Sequence, residues 1–490
     1  MQHLVVVERL SNWPLKVPDV HVVEAKSYIG QTEFTEGRGF RVVNLCRSYR
    51  YQSVGYYVSL LAEARGHRPF PRVNTIQDMK SVTLVRYASE DLERLIQRSL
   101  APLRSRRFVL SIYFGKNVAA RYDRLCSQLF SLFHAPLLQA VFVRGDKWQL
   151  QSVRPMDIGD VPESHRPFLV EATAAYLSKR PRRERRDDRA PYNMAILYNP
   201  DDPSSPSDDR AIRHFAHAAE ELDFDVEIID KDDYGRLAEF DALFIRETTS
   251  VNHHTYRFAR RAAAEGLVVI DDPDSILRCT NKVYLAELMN RYKIPTPKTL
   301  ILSEDNIGAA PELLGLPCIL KQPDSSFSQG VVKASTPDEL REKAEKLLER
   351  SEFIIAQEFL PTPFDWRVGV LDGKPLYACK YHMAAGHWQI VKHRDSGRIG
   401  YGRVETIPVD DAPARVVRTA LKAAALIGNG LYGVDLKEVG RRVVVIEVND
   451  NPTIEHGEED GVLKGHLYVR IMHYFLQAIE RRKSSPGRTE

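Results

Sequence analysis

The chain has 490 residues, 43% hydrophobic and 28% charged, with a net charge of +3. That length exceeds one ordinary core, so two or three domains are expected, and so small a charge excess selects neither nucleic acid nor a membrane surface as a partner. The five cysteines, Cys46, Cys126, Cys279, Cys318 and Cys379, are scattered and form no CxxC pair, which argues against a zinc site or a disulfide framework and for a reducing, cytoplasmic compartment. The stretch MQHLVVVERLSNWP lacks the basic flank and apolar run of a signal peptide, and no segment has the length that spans a bilayer.

Residues 1–155 read as an α/β domain. VHVVEA and RVVNLC have the β-branched composition of strands, and SVGYYVSLLAEARG is an amphipathic helix ended by Gly66. In NLCRSYRYQSVGYY a strand passes into a helix, a place that often faces ligands. Arg47, Arg50 and the neighbouring tyrosines are candidates for an anion contact there, with ordinary surface residues as the alternative. Cys46 reads as a buried thiol, because no nearby histidine marks it as a nucleophile. Residues 156–191 read as an arginine-rich linker. Its SKRPRRERRDDRAP core has no apolar period, and Glu184, Asp187 and Asp188 dilute the positive field, so a solvated connector is preferred over a nucleic-acid contact.

Residues 192–275 begin a second α/β unit. NMAILYNP, DVEIID, DALFIRE and GLVVIDDP are strands alternating with helical stretches, which implies a mostly parallel sheet. No GxGxxG opens it, and Arg246 ends a strand, where open α/β sheets place ligand contacts. From 276 to 480 the order changes. LRCTNKVYLAELMNRY reads as one helix, LPCILKQPDSSFSQGVVKA as strand, loop and strand, TPDELREKAEKLLERS as a helix capped by Thr336, FIIAQEFLP as a strand, and DWRVGVLDGKPLYACKYHM as two strands about Asp372-Gly373. LYVRIMHYFLQAIERR is the last helix, and 481–490 is expected to be a disordered tail.

The chemistry concentrates in YGVDLKEVGRRVVVIEVNDNP, residues 432–452. Residues two apart on a strand share a face, so Glu447 and Asn449 point together. Asp435 joins them if the hairpin loop has an odd number of residues, with Gly440 to Arg442 as the expected loop, or if a bulge has the same effect; a plain two-residue turn would put it on the other face. Two carboxylates and an amide oxygen suit a hard cation such as Mg²⁺; an exposed acidic hairpin is the alternative. Upstream, Lys282 lies near a helix start and Lys321 ends an apolar strand, followed by a small polar loop, Pro323 to Gly330, able to lay backbone N–H groups against phosphate. Glu358, Asp365 and Arg367 add groups that can meet ribose hydroxyls and phosphate oxygens.

In this order the features resemble the ATP-grasp ligases, most closely the RimK-like glutamate ligases, from about Asn193 to the late 450s. The resemblance implies an ATP-grasp fold, α/β and α+β in its parts, preceded by an additional α/β domain similar to the extra domain found ahead of some RimK-like ligases. It implies ATP with Mg²⁺ (or Mn²⁺) as cofactors, and these roles: Lys282 and Lys321 on the phosphates; Ser328, Gln329 and Gly330 in the phosphate loop; Gln357, Glu358, Phe359 and Leu360 as the adenine hinge; Asp365 on the ribose; Asp435, Glu447 and Asn449 on the metal; Arg246 near the phosphate and substrate end; and Arg367, Lys321 and Arg246 as catalytic groups. Three departures stand out. NPTIEHGEED stands after the hairpin, where relatives carry a small serine-proline-glycine turn. The loop DSSFSQG holds one glycine, and GHWQIVKHRDSG lacks the family's asparagine, so Lys380, Lys392 or His393 is expected to substitute. The implied reaction is ATP-dependent joining of a carboxylate to an amine through an acyl phosphate, with an amino acid, peptide or protein as substrate. A dipeptide ligase for free amino acids and a non-catalytic nucleotide-binding adaptor are the rivals, and self-association is left open.

Overall fold

In a computed structural model of the chain, the described residues are 3–13, 20–31, 34, 40–80, 85–86, 89, 92–156, 158–178, 192–202, 204–324, 330–384, 388, 390–393 and 399–484. The chain divides into two compact units, Met1–Asp188 and Arg189–Glu490.

The first unit opens with a parallel sheet whose order is His21–Glu24, His3–Val7, Arg41–Asn44, Arg68–Phe70. Leu4, Val5, Val6, Val42 and Val43 are fully buried, as expected for a sheet covered on both faces. The helix Val54–Ala64 starts at Ser53, whose side chain accepts from the Tyr56 N–H. The second half was not legible as a separate layer: Arg107–Tyr113, Leu137–Arg144 and Trp148–Pro155 form an antiparallel sheet. The unit also extends past residue 155. Met156, Ile158 and Val161 are buried, and the helix Arg166–Ser178 inserts Leu169 and Ala172 into the same core. Residues 158–178, expected as part of the linker, therefore belong to this unit, and residues 179–191 lie outside the described residues.

The second unit contains three main sheets. The first is parallel, in the order Val268–Ile270, Ala242–Ile245, Tyr192–Leu197, Phe224–Ile229. The final helix, Gly465–Ser484, packs Leu467, Ile471 and Phe475 into the core shared with Met194, Ile196 and Phe244. That helix runs through residues 481–484, which the sequence placed in a disordered tail; 485–490 lie outside the described residues. The second sheet is antiparallel: Thr299–Leu302, Ile354–Glu358, Cys318–Lys321, Val331–Ala334. The third is antiparallel with five strands: Val404–Ile407, Lys374–His382, Phe364–Leu371, Leu431–Val439, Arg442–Asn449. One face of it is covered by Ala414–Ala424, which buries Val416, Ala420 and Ala423 against Trp366, Val434 and Val445.

The stretch read as one helix is two, Pro273–Thr280 and Lys282–Arg291. Asn281 takes an extended backbone (φ −99°, ψ 108°), and its side chain accepts from the Val283 and Tyr284 N–H groups. It ends one helix and caps the next, and this puts Lys282 in the first turn. All five cysteines are buried thiols outside any disulfide.

Candidate active site

The hairpin of Leu431–Val439 and Arg442–Asn449 closes with a two-residue turn, because Val439 pairs with Arg442. The expected three-residue loop is not formed; the bulge is. Leu436 pairs with Val445, Asp435 with Glu447 and Gly433 with Asn449, so Ile446 is an extra residue. The bulge carries Asp435, Glu447 and Asn449 to one face. The Val445 N–H is turned outward to Pro295 O, 2.8 Å away.

On that face every carboxylate has a cation. Arg367 grips Asp435 with two parallel bonds, Nε to Oδ1 at 2.7 Å and Nη2 to Oδ2 at 2.8 Å. Lys282 Nζ lies 2.9 Å from Glu447 Oε1. Asn449 Nδ2 donates to Asp435 Oδ2 at 3.2 Å. Burial pushes the Glu447 carboxyl up, but Lys282 and Lys321 outweigh it and hold the net value below the ordinary one. Burial brings Lys321 down to about 8, against the pull of Glu447. Among the described residues no three His, Cys, Asp or Glu side chains are grouped to hold a metal by themselves. Two carboxylates and one amide oxygen on a shared face do fit Mg²⁺, which keeps several places for phosphate and water.

The Lys282 N–H donates to Pro323 O at 2.9 Å, and Asn281 Nδ2 to Asp324 Oδ1 at 2.8 Å, which fastens Pro323 and Asp324, the start of the segment expected as a phosphate loop, to the helix that carries Lys282. Ser328 and Gln329 lie outside the described residues. Gly330 takes φ 67°, open to glycine at little cost, and its carbonyl accepts from the Gln322 N–H. A cavity beside this face is lined by Lys282, Lys321, Leu285, Met289, Ile355 and the bulged Ile446. Its wall is mostly apolar, with Lys282 and Lys321 among the lining residues.

The remaining expected residues divide. Gln357 is buried, lines the same cavity and donates from Nε2 to Thr299 Oγ1 at 3.0 Å. Glu358 accepts from the Lys298 N–H at 2.8 Å and from Arg442 Nη1 at 3.0 Å. Phe359 lies under Lys333, 5.1 Å from its ring centre, and meets the Trp388 ring edge-on. Leu360 is half-buried. Asp365 is bonded to Lys437 and to Thr362; burial raises its carboxyl and Lys437 opposes that. Lys380 is a correction. It pairs with Trp366 across the ladder, while Arg367 pairs with Cys379. Alternation puts Lys380 on the opposite sheet face from Arg367, where it lies 3.3 Å from Glu405 Oε1. Lys392 and His393 have side chains outside the described set.

Arg246 is a second correction. It does end a strand, but it is fully buried. Nε donates to Ser207 Oγ at 3.1 Å, Nη1 to Asn451 Oδ1 at 2.7 Å, and Nη2 to Pro206 O and Pro452 O at 2.7 and 2.9 Å. A guanidinium so committed ties the segment after the strand Arg442–Asn449 to the parallel sheet, and has no surface with which to meet a phosphate. Sequence reasoning missed Lys437, Ile446, Tyr381 and Glu459. Tyr381 shares a face with Arg367 because Cys379, two places before it, pairs with Arg367, a register that shows only in the structure.

Compared with known proteins, residues 279–464 match the family model described as the RimK-like ATP-grasp domain, and residues 25–172 the RimK-like ATP-grasp N-terminal domain. The probable alpha-L-glutamate ligase 1 of Pseudoalteromonas atlantica is 27% identical over 258 residues, 52% of this chain and 80% of that protein. The probable alpha-L-glutamate ligase of Teredinibacter turnerae is 28% identical over 223 residues, 45% and 71% of the two chains. Among solved structures, a D-alanine–D-alanine ligase from Bacillus anthracis aligns with 60% of this chain and 100% of its own, at 14% identity and a TM-score of 0.47.

Proposed function

Because the chain belongs to the RimK-like ATP-grasp family, with that family's ATP-grasp domain at 279–464 and its N-terminal domain at 25–172, we propose that this ATP-dependent, amide-forming ligase joins an amino acid, glutamate first among candidates, to the amine of an amino acid, peptide or protein. The observation that carries the reading is the single face holding Asp435, Glu447 and Asn449 with Arg367, Lys282 and Lys321 around it.

The chemistry is two transfers. A substrate carboxylate attacks the γ-phosphorus of ATP, and ADP leaves. The amine then attacks the acyl carbon, a proton is lost, and phosphate leaves. Asp435, Glu447 and Asn449 would hold Mg²⁺, which supplies charge neutralisation on the phosphates. Lys282 and Lys321 would take phosphate oxygens from the side of the cavity, each gaining an anionic partner. Arg367 has used Nε and one edge of Nη2 on Asp435; the N–H groups that remain would meet the transferring phosphoryl group, as arginines do in other phosphoryl transfers. The apolar cavity wall formed by Leu285, Met289, Ile355 and Ile446 would receive the base. Asp365, held by Lys437, would face the ribose. Among the described residues no helix is long and apolar enough to cross a membrane, and nothing in the site calls for one.

The test is an ADP-release screen over amino acids and short peptides with Mg²⁺ and ATP, followed by mass spectrometry of the product. ADP release that requires both a carboxylate and an amine, with a product heavier by one amide-linked residue, is expected. ADP release without any adduct across the panel would count against ligation.

A further inference from the structure

The catalytic reading gives Arg367 its task but does not say what keeps its guanidinium in one plane. The Asp435 carboxylate fixes one edge, Nε and Nη2. A single edge still permits the plane to rock about the line of those two bonds. The other side is closed by Tyr381. Its ring lies under the guanidinium, 4.6 Å from carbon to ring centre, and its hydroxyl oxygen is 3.5 Å from Nη1. Both residues share the sheet face that carries Asp435, by the pairing of Arg367 with Cys379 on the strand Lys374–His382.

Tyr381 is itself held. Its hydroxyl donates to Glu459 Oε1. Glu459 is fully buried, and its other oxygen accepts from the Glu455 N–H at 2.8 Å. A phenol has one hydrogen. With that hydrogen given to Glu459, the hydroxyl can show Arg367 only lone pairs, the side an N–H donor seeks. Without Glu459 the hydrogen is free to turn toward the guanidinium, and the ring loses its tether. The tether comes from Ile454–Asp460, which is anchored by the Ile454 N–H on Pro206 O and by Thr406 Oγ1 on Glu458 O.

We propose that Tyr381 and Glu459 are positioning residues for Arg367: Glu459 orients the Tyr381 hydroxyl, and Tyr381 holds the guanidinium plane that meets the terminal phosphoryl group of ATP. This rests on the reading of Arg367 as the phosphoryl-facing arginine. A residue that acts only through Arg367 affects whatever Arg367 touches and nothing else. The γ-phosphate distinguishes ATP from ADP, so the effect falls on that difference.

The experiment is calorimetry on the full chain with Mg²⁺, measuring ATP and ADP affinity for the parent, Arg367→Ala, Glu459→Gln, Tyr381→Phe and the double variant Arg367→Ala/Glu459→Gln. Both single positioning changes are close to isosteric, and either suffices if the other fails to fold. Each is expected to leave ADP affinity within about twofold and to cut the ATP-over-ADP preference at least about threefold, with the double variant no worse than Arg367→Ala alone, as coupling through one residue requires. A preference kept by Glu459→Gln and Tyr381→Phe but lost by Arg367→Ala would overturn the positioning role and leave the ligase reading standing. Losses that multiply in the double variant, or that fall equally on ADP, would overturn it too. A parent chain that binds neither nucleotide would remove the ligase reading, and this proposal with it.

Discussion

Neutralising Glu447 tests the site at its centre. The perturbation is Glu447→Gln, which keeps the shape and removes the charge. In the folded protein this carboxylate lies 2.9 Å from Lys282, whose side chain is 9% exposed, and it is the largest counterweight to the burial of Lys321. Breaking a fully buried ion pair costs about 3–5 kcal/mol. Here the carboxylate keeps 27% of its side chain open, and glutamine can still accept from Lys282, so the loss of stability is expected nearer about 1–3 kcal/mol. That is a lower melting temperature in a protein that still folds. The loss of function is larger. A group that stabilises charge developing in a transition state is worth about 10²–10³ in rate, and Glu447 would hold the cation that does so. The assay is steady-state ADP release with Mg²⁺ raised to saturation, beside thermal melts of both proteins. Turnover within about tenfold of the parent at saturating Mg²⁺ would refute the assignment of the metal to this face, whatever the melts showed.

Further outcomes follow from the same structure. Lys321 has its pKa lowered to about 8 in the folded state from 10.5 when free. The unfolded chain then holds more protons between those values, so this lysine makes stability rise as pH climbs from about 8 to 10.5, by at most about 3 kcal/mol; the increment should disappear in Lys321→Met, measured by denaturant titration at pH 7.5 and 9.5. Gly369→Ala is expected to destabilise by about 1–3 kcal/mol or more, since an added Cβ would stand 2.2 Å from the buried Tyr377 ring; a melt unchanged from the parent would show that the ring can move aside. Residues 189–490, a compact unit with its own cores, should bind ATP alone in calorimetry, and a folded but non-binding fragment would give the first unit a part in the site.

The hairpin shows how far the sequence reaches. Its strands are plain in RVVVIEV, where β-branched residues run without a break. The bulge is not, because it depends on Val445 giving its N–H to Pro295, a partner far away in the chain. A local pattern fixes where strands run; a distant acceptor fixes where one slips. Lys380 fails for a smaller reason. One residue of register changes the face, and the register of Lys374–His382 is set by its neighbours on both sides. Arg246 stands where strand-end reasoning puts it. What it does there is decided by residues 206–207 and 451–452, which close over it and are remote in sequence. The two-helix break at Asn281 was legible in principle, since asparagine before a helical run is a strong cap, and the continuous apolar period across it concealed the signal.

The Arg246 knot bears on how the protein comes apart. Its guanidinium joins Ser207, Asn451 and Pro452, Ser207 Oγ donates to Ile454 O, and the Ile454 N–H returns to Pro206 O. These bonds share atoms, so losing one exposes buried polar groups in the others. The exit of the strand Arg442–Asn449 and the ends of the parallel sheet should therefore open together, as one cooperative event. In native-state hydrogen exchange the amides of Arg246 and Ile454 should show the same opening free energy and the same denaturant slope, although more than two hundred residues of chain lie between them.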